Sequence, residues 1–366
     1  MTSRTSALPL TDVQHMHHAL TLAERALGCV APNPAVGCVI VSPDGRVVGR
    51  GWTQAGGRPH AETVALAQAG EGARGATAYV TLEPCAHFGQ TPPCADALSA
   101  AGVARVVAAV EDPDPRVKGQ GFEKLRAAGI EVITGVIEEE AAALNAGFFL
   151  RVTQNRPLVT LKIARSKDGK TIRKTGGEWI TGEEARRFGH LLRAKHDAIL
   201  IGVGTALADD PELTCRLPGL EARSPQRIVL DTELRLPAAS KLAASAREVP
   251  VLVMTAAQGG VALRAPGVEI VEIAKNDSGR LDLAAVLREL ARRGITRLLV
   301  EGGATVAAAF LQADLVDRLE IFTAPIELGD NGGGEVEALA AARAKARLIE
   351  TRMLGDDVLE TCDLRA

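Results

Sequence analysis

The stretch His60-Ala61-Glu62, followed by Pro84-Cys85 and then by Cys94, decides the fold of the first half of this chain. His60, Cys85 and Cys94 offer one imidazole and two thiolates, a donor set that binds zinc and leaves its fourth coordination position open. Zinc lowers the pKa of a bound water to about 7, so hydroxide is available at neutral pH. Glu62 is not needed as a ligand, and we expect it to carry protons in a hydrolytic reaction.

The spacing of these residues allows more than one interpretation. His-x-Glu followed by Pro-Cys-x-x-Cys is typical of zinc deaminases that act on nucleobases, but here eight residues separate Cys85 from Cys94. A purely structural zinc site would need a fourth Cys or His nearby, and His87 is the local candidate. Two buried thiols without any metal are the remaining alternative.

Around this stretch the sequence predicts an alternation of helices and strands. Predicted helices cover 11–28, 60–69, 95–101, 122–128 and 138–149, and predicted strands cover 36–41, 47–51, 77–81, 103–110 and 131–134. Cys85 follows a predicted strand and Cys94 opens a predicted helix, so we expect the ligands to meet at one edge of an open sheet. Helix amino termini carry partial positive charge, which favours hydroxide or an oxyanion at the metal.

Residues 151–156 are predicted to separate this unit from a second α/β unit. Predicted strands there cover 158–164, 198–202, 227–231, 251–254, 268–273, 297–300, 318–324 and 358–363, and predicted helices cover 183–193, 283–293, a segment after Gly303 and part of 330–347. The predicted strand 198–202 leads into Gly204-Thr205 and then into Asp209-Asp210-Pro211.

The sequence Glu301-Gly302-Gly303 lies between a predicted strand and a predicted helix. Glycine lets the backbone approach a ligand closely, and a helix amino terminus offers free N–H groups, so this element suits a phosphate. Tight packing of the helix on the strand explains the glycines equally well. No Gly-x-Gly-x-x-Gly sequence occurs, so a Rossmann fold is not predicted.

The composition favours a two-domain enzyme that acts on small molecules. The chain has 366 residues, of which 46% are hydrophobic, and this is enough for two cores. A net charge of −3 and an aromatic content of 3% do not suggest a nucleic-acid or membrane partner. There is no export signal and no membrane-spanning apolar run, so we expect a cytoplasmic protein whose six cysteines are thiols or ligands.

Two sets of motifs extend over nearly the whole chain. The first comprises Pro32-Asn33-Pro34-Ala35-Val36-Gly37, His60-Ala61-Glu62 and the run from Pro84 to Cys94, which ends in Thr91-Pro92-Pro93-Cys94. The second comprises Arg156-Pro157, Ser166 to Lys170, Trp179-Ile180-Thr181, Asp197-Ala198-Ile199, Gly204-Thr205, Asp209-Asp210-Pro211 and Glu301-Gly302-Gly303. In these motifs, over residues 12–364, the chain resembles the bifunctional riboflavin biosynthesis proteins, which join a deaminase to a reductase.

The resemblance implies an α/β fold in two parts. Residues 1–150 would form a cytidine-deaminase-like α/β/α domain that uses zinc, and residues 157–366 would form a dihydrofolate-reductase-like α/β domain that uses NADPH. The first would remove the 2-amino group of 2,5-diamino-6-(5-phosphoribosylamino)pyrimidin-4(3H)-one by hydrolysis, and the second would reduce the ribosyl group to ribityl. The implied partners are this small phosphorylated substrate and further copies of the chain, as a homo-oligomer.

The resemblance also implies roles for individual residues. His60, Cys85 and Cys94 would bind zinc, and Glu62 would be the catalytic proton shuttle. The implied NADP contacts are Ala164, Trp179, Thr205, Asp209, Thr232, Gly303, Ala304, Thr305, Val306, Ala307, Ala308 and Ala309. The implied substrate contacts are Asn33, Gly177, Arg193, Leu213, Arg216 and Glu301. Arginine suits a phosphate because its guanidinium donates two hydrogen bonds and is always charged.

The chain departs from the family pattern at three places. Lys167 stands where members usually have Leu, and Gly177-Glu178 stands where a hydroxyl residue is common. Gln90 stands where many members carry Lys or Arg. A neutral amide binds phosphate more weakly than a cation does, so we expect Lys118 to supply the missing charge.

Two other classes of function are compatible with parts of the sequence. A deaminase of tRNA or DNA bases with an appended domain would share the metal motif, although the acidic balance and low aromatic content disfavour it. The second half could instead be a non-enzymatic nucleotide-sensing module. Asp209 and Glu301-Gly302-Gly303 favour an active reductase.

Overall fold

The computed structural model describes residues 10–88, 92–115, 117–174, 179–264, 266–334 and 336–365. Gln90, Gly177 and Glu178, which the sequence analysis singled out, lie outside these residues. The chain divides into two compact units, Met1–Gln154 and Asn155–Ala366. No described helix combines the length and the apolar character that a membrane crossing requires.

The first unit is a sheet covered by helices. Its helices are α1 (Leu10–Ala23), α2 (Ala61–Ala69), α3 (Cys94–Ala100), α4 (Gln120–Ala127), α5 (Glu138–Leu144) and α6 (Ala146–Gln154). Its strands are β1 (Gly37–Val41), β2 (Val47–Trp52), β3 (Thr77–Val80), β4 (Arg105–Ala108) and β5 (Glu131–Thr134). Among the described residues these strands form one sheet in the order β2-β1-β3-β4-β5. The strand β1 is antiparallel to its neighbours, and β3, β4 and β5 are parallel.

Two glycines allow helices to pack very closely on this sheet. A Cβ atom at Gly37 would lie 1.9 Å from the carbonyl oxygen of Ala19 in α1. A Cβ atom at Gly51 would lie 2.1 Å from the carbonyl oxygen of Ala61, the first residue of α2. Both helices therefore pack so close to the strand backbone that only glycine can stand at these two positions.

Two predicted helices of this unit differ in extent from the prediction. The helix from residue 11 ends at Ala23 and continues as a 3-10 turn, Glu24–Ala26. The predicted helix 138–149 is divided at Asn145 into α5 and α6. The buried Asn145 amide accepts from the N–H of Ala35 and donates to its C=O, both at 2.9 Å, which explains why an asparagine stands between the two helices. The helix α6 extends to Gln154 and so includes residues predicted to separate the units.

The second unit is built on a larger sheet. Its strands are β6 (Leu158–Ser166), β7 (Ile172–Arg173), β8 (Ala198–Gly202), β9 (Gln226–Leu230), β10 (Val251–Thr255), β11 (Glu269–Glu272), β12 (Arg297–Val300), β13 (Arg318–Ala324), β14 (Gly332–Gly333), β15 (Arg347–Leu354) and β16 (Asp357–Asp363). Its helices are α7 (Glu183–Ala194), α8 (Val203–Asp209), α9 (Lys241–Ala244), α10 (Val261–Arg264), α11 (Leu283–Arg292), α12 (Ala304–Gln312) and α13 (Glu337–Lys345).

Within the described residues the main sheet has the order β11-β10-β9-β8-β12-β6-β13-β16-β15. The strands from β11 to β13 are parallel, and β16 is antiparallel to both of its neighbours. Apolar clusters cover both faces of the sheet. The central strands are buried on both sides, which explains their nearly continuous apolar sequences. The strands β7 and β14 pair separately.

Two elements of the second unit differ from the prediction. Residues 203–209, for which no helix was predicted, form the helix α8. Residues 347–354, not predicted as a strand, form β15 at one edge of the sheet. The predicted strands 198–202, 297–300 and 318–324 coincide with β8, β12 and β13.

Candidate active sites

Three donor side chains converge at the ends of elements in the first unit. His60 immediately precedes α2, Cys94 is the first residue of α3, and Cys85 lies in the loop after β3. The His60 Nδ1 atom is 3.3 Å from the Cys94 Sγ atom and 3.7 Å from the Cys85 Sγ atom. All three ligand atoms lie within 4.8 Å of one another, and this group, found among the described residues, does not include His87. The geometry thus favours an open three-donor site over a closed four-ligand site.

The protonation equilibria of these donors depend on one another. Hydrogen bonding from Cys94 lowers the pKa of Cys85 to about 4, and the Cys94 backbone N–H also donates to Cys85 Sγ at 3.3 Å. The pKa of Cys94 is raised well above its usual range by the neighbouring Cys85 sulfur and by burial. The hydrogen bond to Cys85 raises the pKa of His60. A dication at this point would relieve the repulsion between two thiolates, so the donor set fits zinc.

Glu62 lies on the first turn of α2 beside the three donors. Its side chain is buried, and that burial, followed by the charge of Cys85, raises the pKa of its carboxyl group to about 7. Cys94 hydrogen-bonds the carboxyl group. A group that titrates near neutral pH can both accept and donate a proton.

Glu83 positions the loop that carries Cys85, and the sequence analysis did not identify it. Its carboxylate is buried and accepts backbone N–H groups from Asp112, Gly119, Gly121 and Phe122 at 2.8–3.3 Å. Burial raises the pKa of Glu83 despite these donors. The available signal was an acidic residue placed between a buried strand and Pro84-Cys85.

The predicted substrate residues of the first unit are placed as follows. Asn33 donates from Nδ2 to the carbonyl oxygen of Gly57 at 2.8 Å. Because Gly57 stands three residues before His60 in the sequence, this bond ties the Asn33 side chain to the segment that leads into His60. Lys118, the candidate phosphate cation, is exposed. Gln90 is outside the described residues. It therefore remains a prediction that Lys118 supplies the positive charge that many family members carry at the position of Gln90.

A cavity of 1480 Å³ lies in the second unit at the carboxyl ends of the parallel strands. Such ends are where open α/β sheets bind ligands. The predicted NADP residues that line it are Ala164, Trp179, Thr205, Asp209, Thr232, Gly303, Ala304, Thr305, Val306, Ala307 and Ala309. The predicted substrate residues that line it are Arg193, Arg216 and Glu301. Ala308 and Leu213 are not part of its wall, Leu213 being packed in the apolar core, and Gly177 is outside the described residues.

An ion pair between Arg193 and Glu301, with the half-buried Lys162 beside it, forms part of the wall of this cavity. Arg193 on α7 donates from Nε and Nη2 to the two carboxylate oxygens of Glu301, each at 2.9 Å, and from Nη1 to the carbonyl oxygen of Thr214 at 3.1 Å. Although burial opposes ionisation, Arg193 and then Lys162 hold the pKa of Glu301 at about 2. A guanidinium has five N–H donors and these contacts use three of them, so Arg193 can hold Glu301 and still donate to a substrate, as predicted.

Lys162 was missed by the sequence analysis. It lies on β6, and the strand register that pairs Leu161 with Val300 brings it beside Glu301. Burial lowers the pKa of its amine. The signal was one charged residue within the apolar strand sequence 158–164, since lysine is rarely buried without a function or a partner.

The Gly302-Gly303 turn brings the backbone close to the cavity. A Cβ atom at Gly302 would lie 2.6 Å from the Val306 side chain, and the Gly303 N–H donates to Thr205 Oγ1 at 3.2 Å. The helix α12 begins at the next residue, Ala304. Both explanations given for the two glycines are thus compatible with the geometry, because the turn packs tightly and also faces the cavity.

The fold and the two sites define a bifunctional enzyme, in which a deaminase with a His/Cys metal centre is joined to a reductase of the dihydrofolate reductase type. Residues 10–110 match the family described as the cytidine and deoxycytidylate deaminase zinc-binding region, and residues 157–359 match the RibD C-terminal domain. The chain belongs to the RibD family of riboflavin biosynthesis enzymes.

Relatives from distant bacteria match this chain over nearly its whole length. The riboflavin biosynthesis protein RibD of Aquifex aeolicus is 43% identical and covers 95% of this chain and 97% of its own. That of Escherichia coli is 42% identical, with 95% and 98% covered. The solved structure of Acinetobacter baumannii RibD is 39% identical with a TM-score of 0.86, covering 96% of this chain and 98% of its own.

A second solved structure carries a more detailed description. The Thermotoga maritima protein, a diaminohydroxyphosphoribosylaminopyrimidine deaminase/5-amino-6-(5-phosphoribosylamino)uracil reductase, is 36% identical with a TM-score of 0.85, covering 96% of this chain and 98% of its own. The predicted fold class, the bifunctional activity in riboflavin biosynthesis and the cofactors, zinc and NADPH, are confirmed. The nucleic-acid deaminase and the non-enzymatic second half are therefore set aside.

Proposed function

We propose that this chain deaminates diaminohydroxyphosphoribosylaminopyrimidine and then reduces the product, 5-amino-6-(5-phosphoribosylamino)uracil, with NADPH. The Thermotoga maritima relative is described by these two activities. The proposal is supported by the side chains that each unit brings together, since they suit one of the two reactions in each case. Buried Glu62 lies beside His60, Cys85 and Cys94 in one unit, and Lys162 lies beside Glu301 in the cavity of the other.

In the deaminase unit, His60, Cys85 and Cys94 would hold the zinc, whose chemistry is to supply hydroxide at neutral pH. Glu62 takes a proton from the attacking water and delivers it to the departing amino group, which leaves as ammonia. The closeness of its pKa to 7 suits both transfers. Asn33 is proposed as a further substrate contact of this unit, and its Nδ2 atom donates to the carbonyl oxygen of Gly57.

In the reductase unit, the substrate is proposed to lie against Lys162 and Glu301, with Arg216 near its phosphate. NADPH would supply a hydride to C1′ of the ribosyl group, the C1′–O4′ bond would open, and a proton would be added to O4′, which gives the ribityl group. The Lys162 ammonium can donate to a carbonyl oxygen of the pyrimidine ring, and Arg193 keeps Glu301 ionised and in place. The backbone from Gly303 to Ala307 would approach the pyrophosphate of the cofactor.

The adenosine end of NADPH would lie toward the β11 edge of the sheet. Thr232, Arg235 and Arg280 line the cavity there, beyond the carboxyl ends of β9 and β11. Arginine suits the 2′-phosphate that distinguishes NADPH from NADH. We assign Arg235 and Arg280 to that phosphate.

Each unit is proposed to carry out one of the two reactions. Deamination is assigned to residues 1–150 and reduction to residues 157–366. The homo-oligomeric state and the cytoplasmic location remain predictions from the sequence.

A coupled assay tests the proposal. The purified chain, given the diaminopyrimidine phosphate and NADPH, should release one ammonia for each NADPH oxidised. A Cys94→Ser variant should release no ammonia, yet it should oxidise NADPH when it is given the already deaminated substrate. Full ammonia release by Cys94→Ser, or NADPH oxidation that does not depend on the deaminated substrate, would contradict the assignment.

A further inference from the structure

The aromatic ring of Phe322 lies against the ammonium group of Lys162 in the second unit. The Lys162 Nζ atom is 5.5 Å from the centre of the Phe322 ring, and both residues line the cavity. Only 1% of Phe322 is exposed, so the ring is a fixed part of the wall. A cation within about 6 Å of a ring centre is attracted to the negative face of the ring.

The register of two neighbouring strands explains this contact. Lys162 on β6 pairs with Glu320 on β13, and Phe322 stands two residues further along β13, so the three side chains share one face of the sheet. The Glu320 carboxylate accepts a hydrogen bond of 2.7 Å from Oγ1 of Thr361, on the next strand, β16. In the described part of the chain, Phe322 and not this carboxylate is therefore the side chain of β13 that contacts the Lys162 ammonium.

The other charged groups near Lys162 are engaged with one another. The charge of Glu301 favours the ammonium form of Lys162 and Arg193 on α7 opposes it, while burial lowers the pKa of the amine. Both carboxylate oxygens of Glu301 accept from Arg193. His190, also on α7 and at the cavity, has a pKa lowered by burial and then by Arg193 and Arg216, so it is neutral at neutral pH. Within the described residues the Lys162 ammonium makes no hydrogen bond, so its N–H groups are available to a ligand.

We propose that Phe322 is a positioning residue of the reductase, whose ring holds the Lys162 ammonium in its charged form at the cavity wall and leaves its N–H groups to the substrate. A carboxylate in the same place would also favour the charged form, but it would accept some of the three N–H donors. The ring attracts the charge through its quadrupole and leaves these donors for a carbonyl oxygen. This inference rests on the proposed function, in which Lys162 donates to the substrate.

A second aromatic side chain supports the Phe322 ring. The rings of Phe188, on α7, and Phe322 have centres 6.1 Å apart and planes inclined by 57°. Tilted pairs at this separation are favourable for aromatic rings. Because Phe322 is held between its own strand and α7 in this way, its ring keeps a fixed orientation toward Lys162.

The pH dependence of Lys162 acetylation tests the inference without using enzyme activity. Trace acetic anhydride reacts with the neutral amine, and mass spectrometry of the Lys162 peptide from the full chain gives the pKa. Phe322→Leu keeps an apolar side chain and removes the ring, so the pKa of Lys162 should fall by roughly 0.5–1.5 units. Phe322→Tyr keeps the ring and should keep the pKa. Phe310→Leu is the matched control and should not change it, since Phe310 is also fully buried but lies on α12 in the other apolar cluster.

The pH profile of NADPH oxidation with the deaminated substrate is the second measurement. The rate should fall at alkaline pH as Lys162 loses its proton. In Phe322→Leu this fall should begin at a pH lower by the same amount, and in Phe322→Tyr it should stay in place. A shift in acetylation without a shift in the rate profile would support the role of Phe322 and count against the proposed role of Lys162 in the reaction.

Circular dichroism checks that each variant is folded, and Phe322→Met replaces Phe322→Leu if the latter does not fold. An unchanged pKa of Lys162 in the folded variant that lacks the ring would overturn the inference. An equal fall of that pKa in Phe310→Leu or in Phe322→Tyr would also overturn it, because the effect would then not come from the ring face at this position.

Discussion

Replacement of Arg193 by methionine should destabilise the reductase unit through Glu301. The variant keeps the bulk of the side chain but removes both hydrogen bonds to the Glu301 carboxylate, which are 2.9 Å long. Glu301 is then a buried carboxylate whose remaining positive neighbour is Lys162. An uncompensated buried charge is among the most destabilising results of a single substitution.

The magnitude follows from the pKa of Glu301. That pKa is about 2, against an ordinary value of 4.5, although burial alone would raise it. At 1.36 kcal/mol for each pKa unit, the difference corresponds to ~3 kcal/mol of stability at neutral pH. Breaking a buried ion pair by removal of one partner costs about 3–5 kcal/mol. We expect ~3 kcal/mol, because Lys162 compensates part of the loss.

The lowered pKa of Glu301 also determines the direction in which the free energy of unfolding changes with pH. The pKa of Glu301 is lower in the folded state, so its contribution is fully present above pH 4.5 and is lost as the pH falls toward 2. The difference in stability between the unchanged chain and Arg193→Met should therefore be largest at neutral pH and shrink below pH 4.5.

Hydrogen exchange with mass spectrometry can measure the loss of stability caused by Arg193→Met in the full chain, because it reports the opening free energy of each unit separately. Amides of β8 and β12 should exchange faster in Arg193→Met, and amides of β4 in the other unit should not. Arg292→Met is the matched control, since Arg292 is exposed and pairs with Glu289 at the surface. Equal effects of the two substitutions would refute the reasoning, as would full additivity of Arg193→Met and Glu301→Gln in the double variant.

The remaining predictions concern the metal site and the cofactor. Glu62→Gln should retain zinc but lower the rate of ammonia release ~10²–10⁴-fold, because it removes the proton shuttle. Glu83→Gln should lose zinc to a chelator faster, because an amide would face two of the four N–H donors that hold the Cys85 loop. Arg280→Ala should weaken binding of 2′,5′-ADP, measured by calorimetry, ~10-fold while leaving ADP binding unchanged.

Each of these predictions has a clear opposite outcome. Near-normal ammonia release by Glu62→Gln would assign the proton transfer to another group. Unchanged zinc retention in Glu83→Gln would mean that the loop is held by other contacts. An equal loss of 2′,5′-ADP and ADP binding in Arg280→Ala would place this arginine away from the 2′-phosphate.

The convergence of His60, Cys85 and Cys94 could be predicted from the sequence because the relevant information is local. His60 and Cys94 stand where helices begin, and both helix starts could be read from the residue pattern. The central parallel strands were also predictable, since burial on both faces makes them continuously apolar. The strand β12 and the Gly302-Gly303 turn coincide with their predictions for this reason.

What could not be predicted depends on contacts distant in sequence. The break at Asn145 exists because its amide pairs with Ala35, 110 residues away. Glu83 acquires its role from four backbone N–H groups of the loop before α4 and of the first residues of α4, which lie 29 to 39 residues further along the chain. The strand β15 is exposed on both faces, so it lacks the alternation of apolar and polar residues by which strands are recognised.

The close packing of α1 on Gly37 and of α2 on Gly51 limits which residues these two positions can tolerate. Gly51 faces the first residue of α2, the helix that begins after His60 and carries Glu62, so any side chain at Gly51 would push both groups away from Cys85 and Cys94. In a saturation library selected for deaminase activity, Gly51 and Gly37 should therefore accept no replacement, alanine included. Gly72, whose Cβ atom would make only ordinary contacts at 3.5 Å or more, should accept alanine freely. The deaminase active site would then appear in such a map as a set of intolerant glycines that allow helices to pack against the sheet.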